Sequence, residues 1–141
     1  SSTVEKEELR IQEKANELLE FLNLVDLRNE FSGNLSGGQL KLLELGRALM
    51  SDPKLILLDE PAAGVNPTLL EEIIERIREI HRQGVTFLMI EHNMELVMRL
   101  CSSVLVMVEG GIVIEGSPDD IRSDPRLIDA FLGGGTLSSD N

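Results

Sequence analysis

The sequence predicts an α/β fold in which a mostly parallel sheet is flanked by helices. Two short apolar runs, Leu55–Leu58 and Val85–Ile90, read as strands. Their continuous apolarity implies burial on both faces. Helical stripes precede, separate and follow them, and strands alternating with helices imply a three-layer arrangement.

Each element has a local cause. From Glu5 to Leu22 the apolar residues fall at Ile11, Ala15, Leu18, Leu19 and Leu22, one stripe of a helix. Ser32–Gly38 reads as a glycine-containing loop, and Gln39–Met50 as a helix stopped by Ser51-Asp52-Pro53. Asn66-Pro67 opens a third helix with an N-cap and a first-turn proline. Its stripe is Leu70, Ile73, Ile74, Ile77 and Ile80, and Gln83-Gly84 closes it. Asn93–Cys101 reads as another helix. Val104–Val108 and Ile112–Glu115 flank Glu109-Gly110-Gly111, a hairpin signal with glycine where positive φ is needed. Ser117-Pro118 and Asp124-Pro125 each read as a cap followed by a first-turn proline.

Composition excludes several function classes. The net charge of -12 argues against nucleic acid as a partner, because phosphate binding needs clustered Lys and Arg. It also disfavours direct seating on anionic lipid. Runs such as Val104–Val108 are too short to span a bilayer, and no cationic, apolar leader is visible, so a cytoplasmic chain is expected. The single cysteine, Cys101, cannot close an internal disulfide and reads as a small core residue. With no Trp or Tyr, nucleobase stacking on those side chains would have to come from elsewhere.

Two motifs carry chemistry. Ser36-Gly37-Gly38-Gln39 has the form of a capping box, Ser at the N-cap and Gln three residues on. That form does not explain two adjacent glycines, which cost backbone entropy at a helix start. Paired glycines suit close approach of a ligand, and helix N-terminal amides attract phosphate. Asp59 and Glu60 end an apolar strand, where parallel sheets bind ligands. One carboxylate suits a hydrated Mg²⁺, and a second could orient or deprotonate water. His92 follows the next strand and on its own would be read as a polar residue at a strand end; His81 is assigned no role.

The order of these motifs resembles that of ATP-binding cassette ATPases. Leu35–Gln39 matches the family's signature motif, Leu55–Asp59 its Walker B strand, Glu60 the catalytic glutamate and His92 the switch histidine. The resemblance runs from about Val4 to Gly133. It implies a partial P-loop NTPase domain lacking the Walker A half, since no Gly-x-x-x-x-Gly-Lys-Ser/Thr stretch occurs in the sequence. Residues 1–34 would be a remnant of the helical subdomain, 35–133 the C-terminal part of the catalytic core, and 134–141 a flexible tail.

In this family two ATPase domains sandwich two ATPs head to tail. The resemblance therefore implies that Ser36, Gly37 and Gly38, with Gln39, face ATP held by a second such domain. It implies that Asp59 holds Mg²⁺ through water, that Glu60 is the general base, and that His92 contacts the γ-phosphate and positions water. The further partners would be transmembrane permease subunits, placing the protein at the inner face of the membrane. Ala62–Pro67, Glu91–Met94 and Ile128–Gly133 are similar to the ATP-binding subunits of branched-chain amino acid importers, with lipopolysaccharide-export ATPases next. Asn66 stands where the dimer-contacting loop usually carries Asp. A DNA-repair or chromosome-type head is disfavoured by acidity and the lack of heptads. A non-catalytic interaction module remains the third class.

Two expectations follow. The chain alone should bind ATP weakly and not hydrolyse it, because the missing lysine loop supplies most of the grip on phosphate. A strand missing between Val85–Ile90 and Val104–Val108 should leave open edges, so a rearranged sheet or strand exchange between chains is expected.

Overall fold

The computed structural model describes residues 2–132, except for the side chains of 131 and 132; the expected tail over 134–141 lies outside the described residues. The chain divides into two compact units, Ser1–Glu91 and His92–Asn141.

The first unit contains α1 (Ser2–Phe21), α2 (Gly37–Leu49), β1 (Leu55–Asp59), α3 (Pro67–Arg82) and β2 (Thr86–Ile90). Strands β1 and β2 pair in parallel, with Leu57 opposite Leu88 and Asp59 opposite Ile90. The α3 stripe read from the sequence is the heart of this unit: Ile73, Ile74, Ile77 and Ile80 are all buried, together with Leu22, Leu42, Leu45 and Ile56. Helices α1 and α2 lie close enough at Gly46 that a methyl group there would sit 2.6 Å from Leu22 Cδ1. Arg76 ties α3 to the end of α1, donating to the Phe21 carbonyl at 2.9 Å with its guanidinium 5.2 Å from the Phe21 ring centre. Lys14 donates to the Met50 carbonyl at 2.9 Å, where a cation suits the C-terminal end of α2.

The helix ends form as the local chemistry requires. Asn66 Oδ1 accepts from the Leu69 amide at 3.0 Å and Pro67 takes the first turn of α3. Gly84 leaves the helix at φ +102°, a conformation that favours glycine. His81 shows why a histidine need not be functional: its Nδ1 lies 2.9 Å from the Val85 carbonyl and closes the same helix end. Asn66→Ala should cost about 1 kcal/mol in a urea melt, whereas Asn66→Asp, which keeps the acceptor, should change stability little. An equal loss in both variants would show that the cap is not what Asn66 supplies.

One expectation about this unit is corrected. The strands are not buried on both faces. Ile56 is buried and Leu58, Phe87 and Met89 are half-buried, but Leu55, Leu57, Leu88 and Ile90 are 52%, 68%, 58% and 65% exposed. Period-2 geometry turns alternate residues to opposite faces, and among the described residues only one face of this pair is covered. Helix boundaries also differ: α2 begins at Gly37, so both glycines lie inside the helix rather than in the loop.

The second unit contains α4 (Met94–Leu100), β3 (Val104–Val108), β4 (Gly111–Gly116), α5 (Pro118–Ser123) and α6 (Pro125–Leu132). The predicted hairpin forms, antiparallel and with a register shift at Val106/Met107. Its turn uses positive φ at both Glu109 (48°) and Gly110 (81°). Leu96, Val97, Ile114 and Ile121 form the core of this unit, while Leu105, Met107 and Ile112 are exposed on the hairpin. Ser117 and Asp120 form a capping box on α5, and the Ser117 hydroxyl and amide hold the Asp120 carboxyl below its usual pKa. Among the described residues the strands therefore form two separate two-stranded sheets, β1-β2 and β3-β4.

Candidate functional site

Within the first unit, the start of α2 and the turn that follows β1 are neighbours. Ser36 caps α2: its Oγ accepts from the Gln39 amide at 3.2 Å, and Gln39 Oε1 accepts from the Ser36 amide at 2.8 Å. The two glycines between them have partners in the fold itself. A Cβ on Gly38 would lie 2.1 Å from Leu69 Cδ2, and one on Gly37 would lie 3.3 Å from the Gly64 carbonyl. Gly38 is buried, whereas Gly37 and Ser36 are exposed. Close packing of the α3 N-terminus thus accounts for Gly38. Spacing alone had offered only ligand approach for the pair.

Asp59 ends β1, exposed, and Glu60 follows in an unusual backbone conformation, φ +47°. Left-handed φ at a non-glycine residue is uncommon and clusters at functional positions. The turn is held at several points. The Glu60 amide donates to the Ile90 carbonyl at 2.8 Å, and the Ala63 amide to the Glu60 carbonyl at 3.0 Å. Glu91 Oε1 accepts from the Ala62 amide at 2.7 Å. Lys41 Nζ reaches within 3.5 Å of the Glu60 carbonyl, linking the second turn of α2 to this turn.

These clamps could not be read from the sequence. The only available signal for Glu91 was a carboxylate ending the strand beside the one that carries Asp59. In the second unit, His92 is exposed and immediately precedes Asn93, whose side chain caps α4 by accepting from the Leu96 amide at 3.1 Å. The structure therefore brings Ser36, Gly37, Gly38 and Gln39 close to the Asp59–Gly64 segment within one unit and sets His92 at the start of the other.

The donor set can be tested against the expected cation. Among the described residues no group of three or more His, Cys, Asp or Glu side chains could cage a metal ion. Mg²⁺ does not need such a cage, because it keeps its waters and uses one or two carboxylates with substrate phosphates. The exposed carboxylates of Asp59 and Glu60 suit that mode. Cys101 is not a nucleophile candidate: burial raises its thiol pKa, which disfavours the thiolate.

A model of the family described as ABC transporter matches residues 1–63. A "probable branched-chain amino acid transport ATP-binding protein LivG" of Archaeoglobus fulgidus is 46% identical over 128 residues, covering 91% of this chain and 50% of that protein. The high-affinity branched-chain amino acid transport ATP-binding protein BraF of Pseudomonas aeruginosa is 39% identical, with 91% and 51% covered. Among solved structures, the ADP conformation of MJ1267, an ATP-binding cassette of an ABC transporter, superposes with a TM-score of 0.80 at 42% identity, covering 88% of this chain and 50% of that one. The chain spans about half the length of the curated relatives it matches.

Proposed function

Because this chain belongs to the ATP-binding cassette ATPase family, we propose that it is the carboxy-terminal part of a transport ATPase subunit, one that drives import of branched-chain amino acids. The observation that carries this reading is the packing of the α2 N-terminus beside the Asp59–Gly64 turn. An anion-attracting helix end, held by the Ser36–Gln39 cap, and two carboxylates share one unit, and Glu91 braces the turn that follows the carboxylates. On this reading Ser36 and the amides of Gly37 and Gly38, with Gln39 holding the cap, face the phosphates of ATP bound to a second cassette. Asp59 holds Mg²⁺ through water, and the ion supplies charge neutralisation on the phosphates when bound. Glu60 takes the proton of the attacking water, and His92 orients that water beside the γ-phosphate.

The partners are a second cassette, arranged head to tail, and permease subunits that seat the pair at the inner face of the membrane. No helix among the described residues is long and apolar enough to cross a membrane, so membrane association would come through those subunits. The identity of the relatives supports branched-chain amino acids as the cargo.

Calorimetric titration of Mg-ATP tests the division of labour. The chain alone should give no binding heat and no phosphate release. A fusion that places the amino-terminal half of the Archaeoglobus relative ahead of this chain should bind Mg-ATP and hydrolyse it. Tight one-to-one binding by the chain alone, or an inert but folded fusion, would overturn the proposal.

A further inference from the structure

We propose that Glu91 is a positioning residue for this reaction: by accepting from the Ala62 amide it fixes the turn that aims the Glu60 carboxylate. Its role in the reaction rests on the reading of Glu60 as the general base, but its hold on the turn does not.

The turn needs a partner outside itself. Glu60 lies at φ +47°, and a non-glycine residue persists there only where its surroundings offset the cost. The bond from the Ala63 amide to the Glu60 carbonyl, 3.0 Å long, closes a four-residue turn but uses neither of the two residues between them. Of those two, Pro61 has no amide hydrogen to donate. The Ala62 amide is therefore the donor that the turn leaves over. Ala62 is half-buried, where an unpaired amide is costly.

The end of β2 supplies the partner. The Ile90 carbonyl takes the Glu60 amide at 2.8 Å, and the next residue, Glu91, takes the Ala62 amide at 2.7 Å through Oε1. Two consecutive residues thus hold the chain on both sides of Pro61, which is itself buried. The two bonds differ in kind. The first is made by main chain and does not depend on the side chain at position 90. The second needs an acceptor side chain of the right reach at position 91, and a carboxylate accepts from an amide more strongly than a neutral oxygen does. Glu91 is half-buried, with one oxygen committed to that amide, so it is set to hold rather than to react. The backbone on either side of Glu60 directs its side chain. Release of Ala62 should move the carboxylate relative to the water it deprotonates, and a misplacement of about 1 Å can cost roughly 10²-fold in rate.

The fusion with the amino-terminal half of the Archaeoglobus relative tests this through Glu91→Ala and Glu91→Gln, the second of which keeps an acceptor oxygen but loses the charge. Glu91→Ala should lower kcat by roughly tenfold or more and leave KM for Mg-ATP within about twofold. In the same variant, hydrogen exchange at the Ala62 amide, followed by NMR, should speed up by roughly tenfold. Glu91→Gln should recover most of both. If it loses as much turnover as Glu91→Ala while Ala62 stays protected, the carboxylate acts on substrate or cation directly and the positioning role is overturned. Parental kcat in Glu91→Ala, or slower turnover with unchanged exchange at Ala62, would overturn it as well. Glu60→Gln separates this result from the catalytic reading. Parental turnover in Glu60→Gln, together with fast exchange at Ala62 in Glu91→Ala, would uphold the hold on the turn and remove Glu60 as the base.

Discussion

Replacing Glu60 by Gln in the fused cassette should lower the turnover of ATP by roughly 10²–10⁴-fold, the usual contribution of a positioned general base. That range corresponds to about 3–5 kcal/mol on the barrier. Gln keeps the size and hydrogen-bonding ability of the side chain but cannot take a proton. Two bonds at Glu60, from its amide to the Ile90 carbonyl and from the Ala63 amide to its own carbonyl, are made by the main chain and do not depend on the side chain that the substitution changes. The turn should therefore keep its shape. Mg-ATP affinity should hold while kcat falls, a split expected when an interaction is lost only in the transition state. Unchanged kcat, or loss of binding with kcat preserved, would remove Glu60 from the role of base.

Ile74→Ala should be the most damaging single change to the first unit, costing about 2–5 kcal/mol. Ile74 is fully buried on α3, beside Ile73 and Ile77 in the stripe that faces the rest of this unit. Domains are stable by only about 5–15 kcal/mol, so such a loss consumes a large part of the total. Urea denaturation followed by circular dichroism should show a lower midpoint with the slope preserved. Glu75→Ala on the exposed side of α3 should stay within about 0.5 kcal/mol of the parent. Comparable losses from the two would mean that α3 does not pack as described.

The helices were legible because their causes are local. The α3 stripe, the Asn66-Pro67 start and the Gly84 exit each depend on residues within a few positions, and all three stand in the structure as the pattern implies. The Glu109-Gly110 turn was legible for the same reason. Strand burial was not. A run such as Leu55–Leu58 reports that a strand is apolar, but whether both faces are covered depends on which other segments are present to cover them. Periodicity within the run carries no information about that. The site divides along the same line. Residue types and spacing singled out Ser36–Gln39, Asp59 and Glu60, because helix caps and strand-end carboxylates have short-range signatures; His92 was singled out only by the family resemblance. The reason for Gly38 was out of reach, since Leu69 lies thirty-one positions away in the chain and meets it only when α3 packs against α2.

What the sequence determined by itself was the class of fold, the start and exit of α3 and the family; it also named candidate site residues. These follow from local propensity and motif order. Only the tertiary structure decided that the signature glycines are partly packing devices and that Glu60 sits at positive φ between the Ile90 and Ala63 backbone bonds. It also decided that the parallel pair presents Leu55, Leu57, Leu88 and Ile90 outward. Each of these depends on contacts between residues far apart in the chain, and their energies are absent from any local window of sequence.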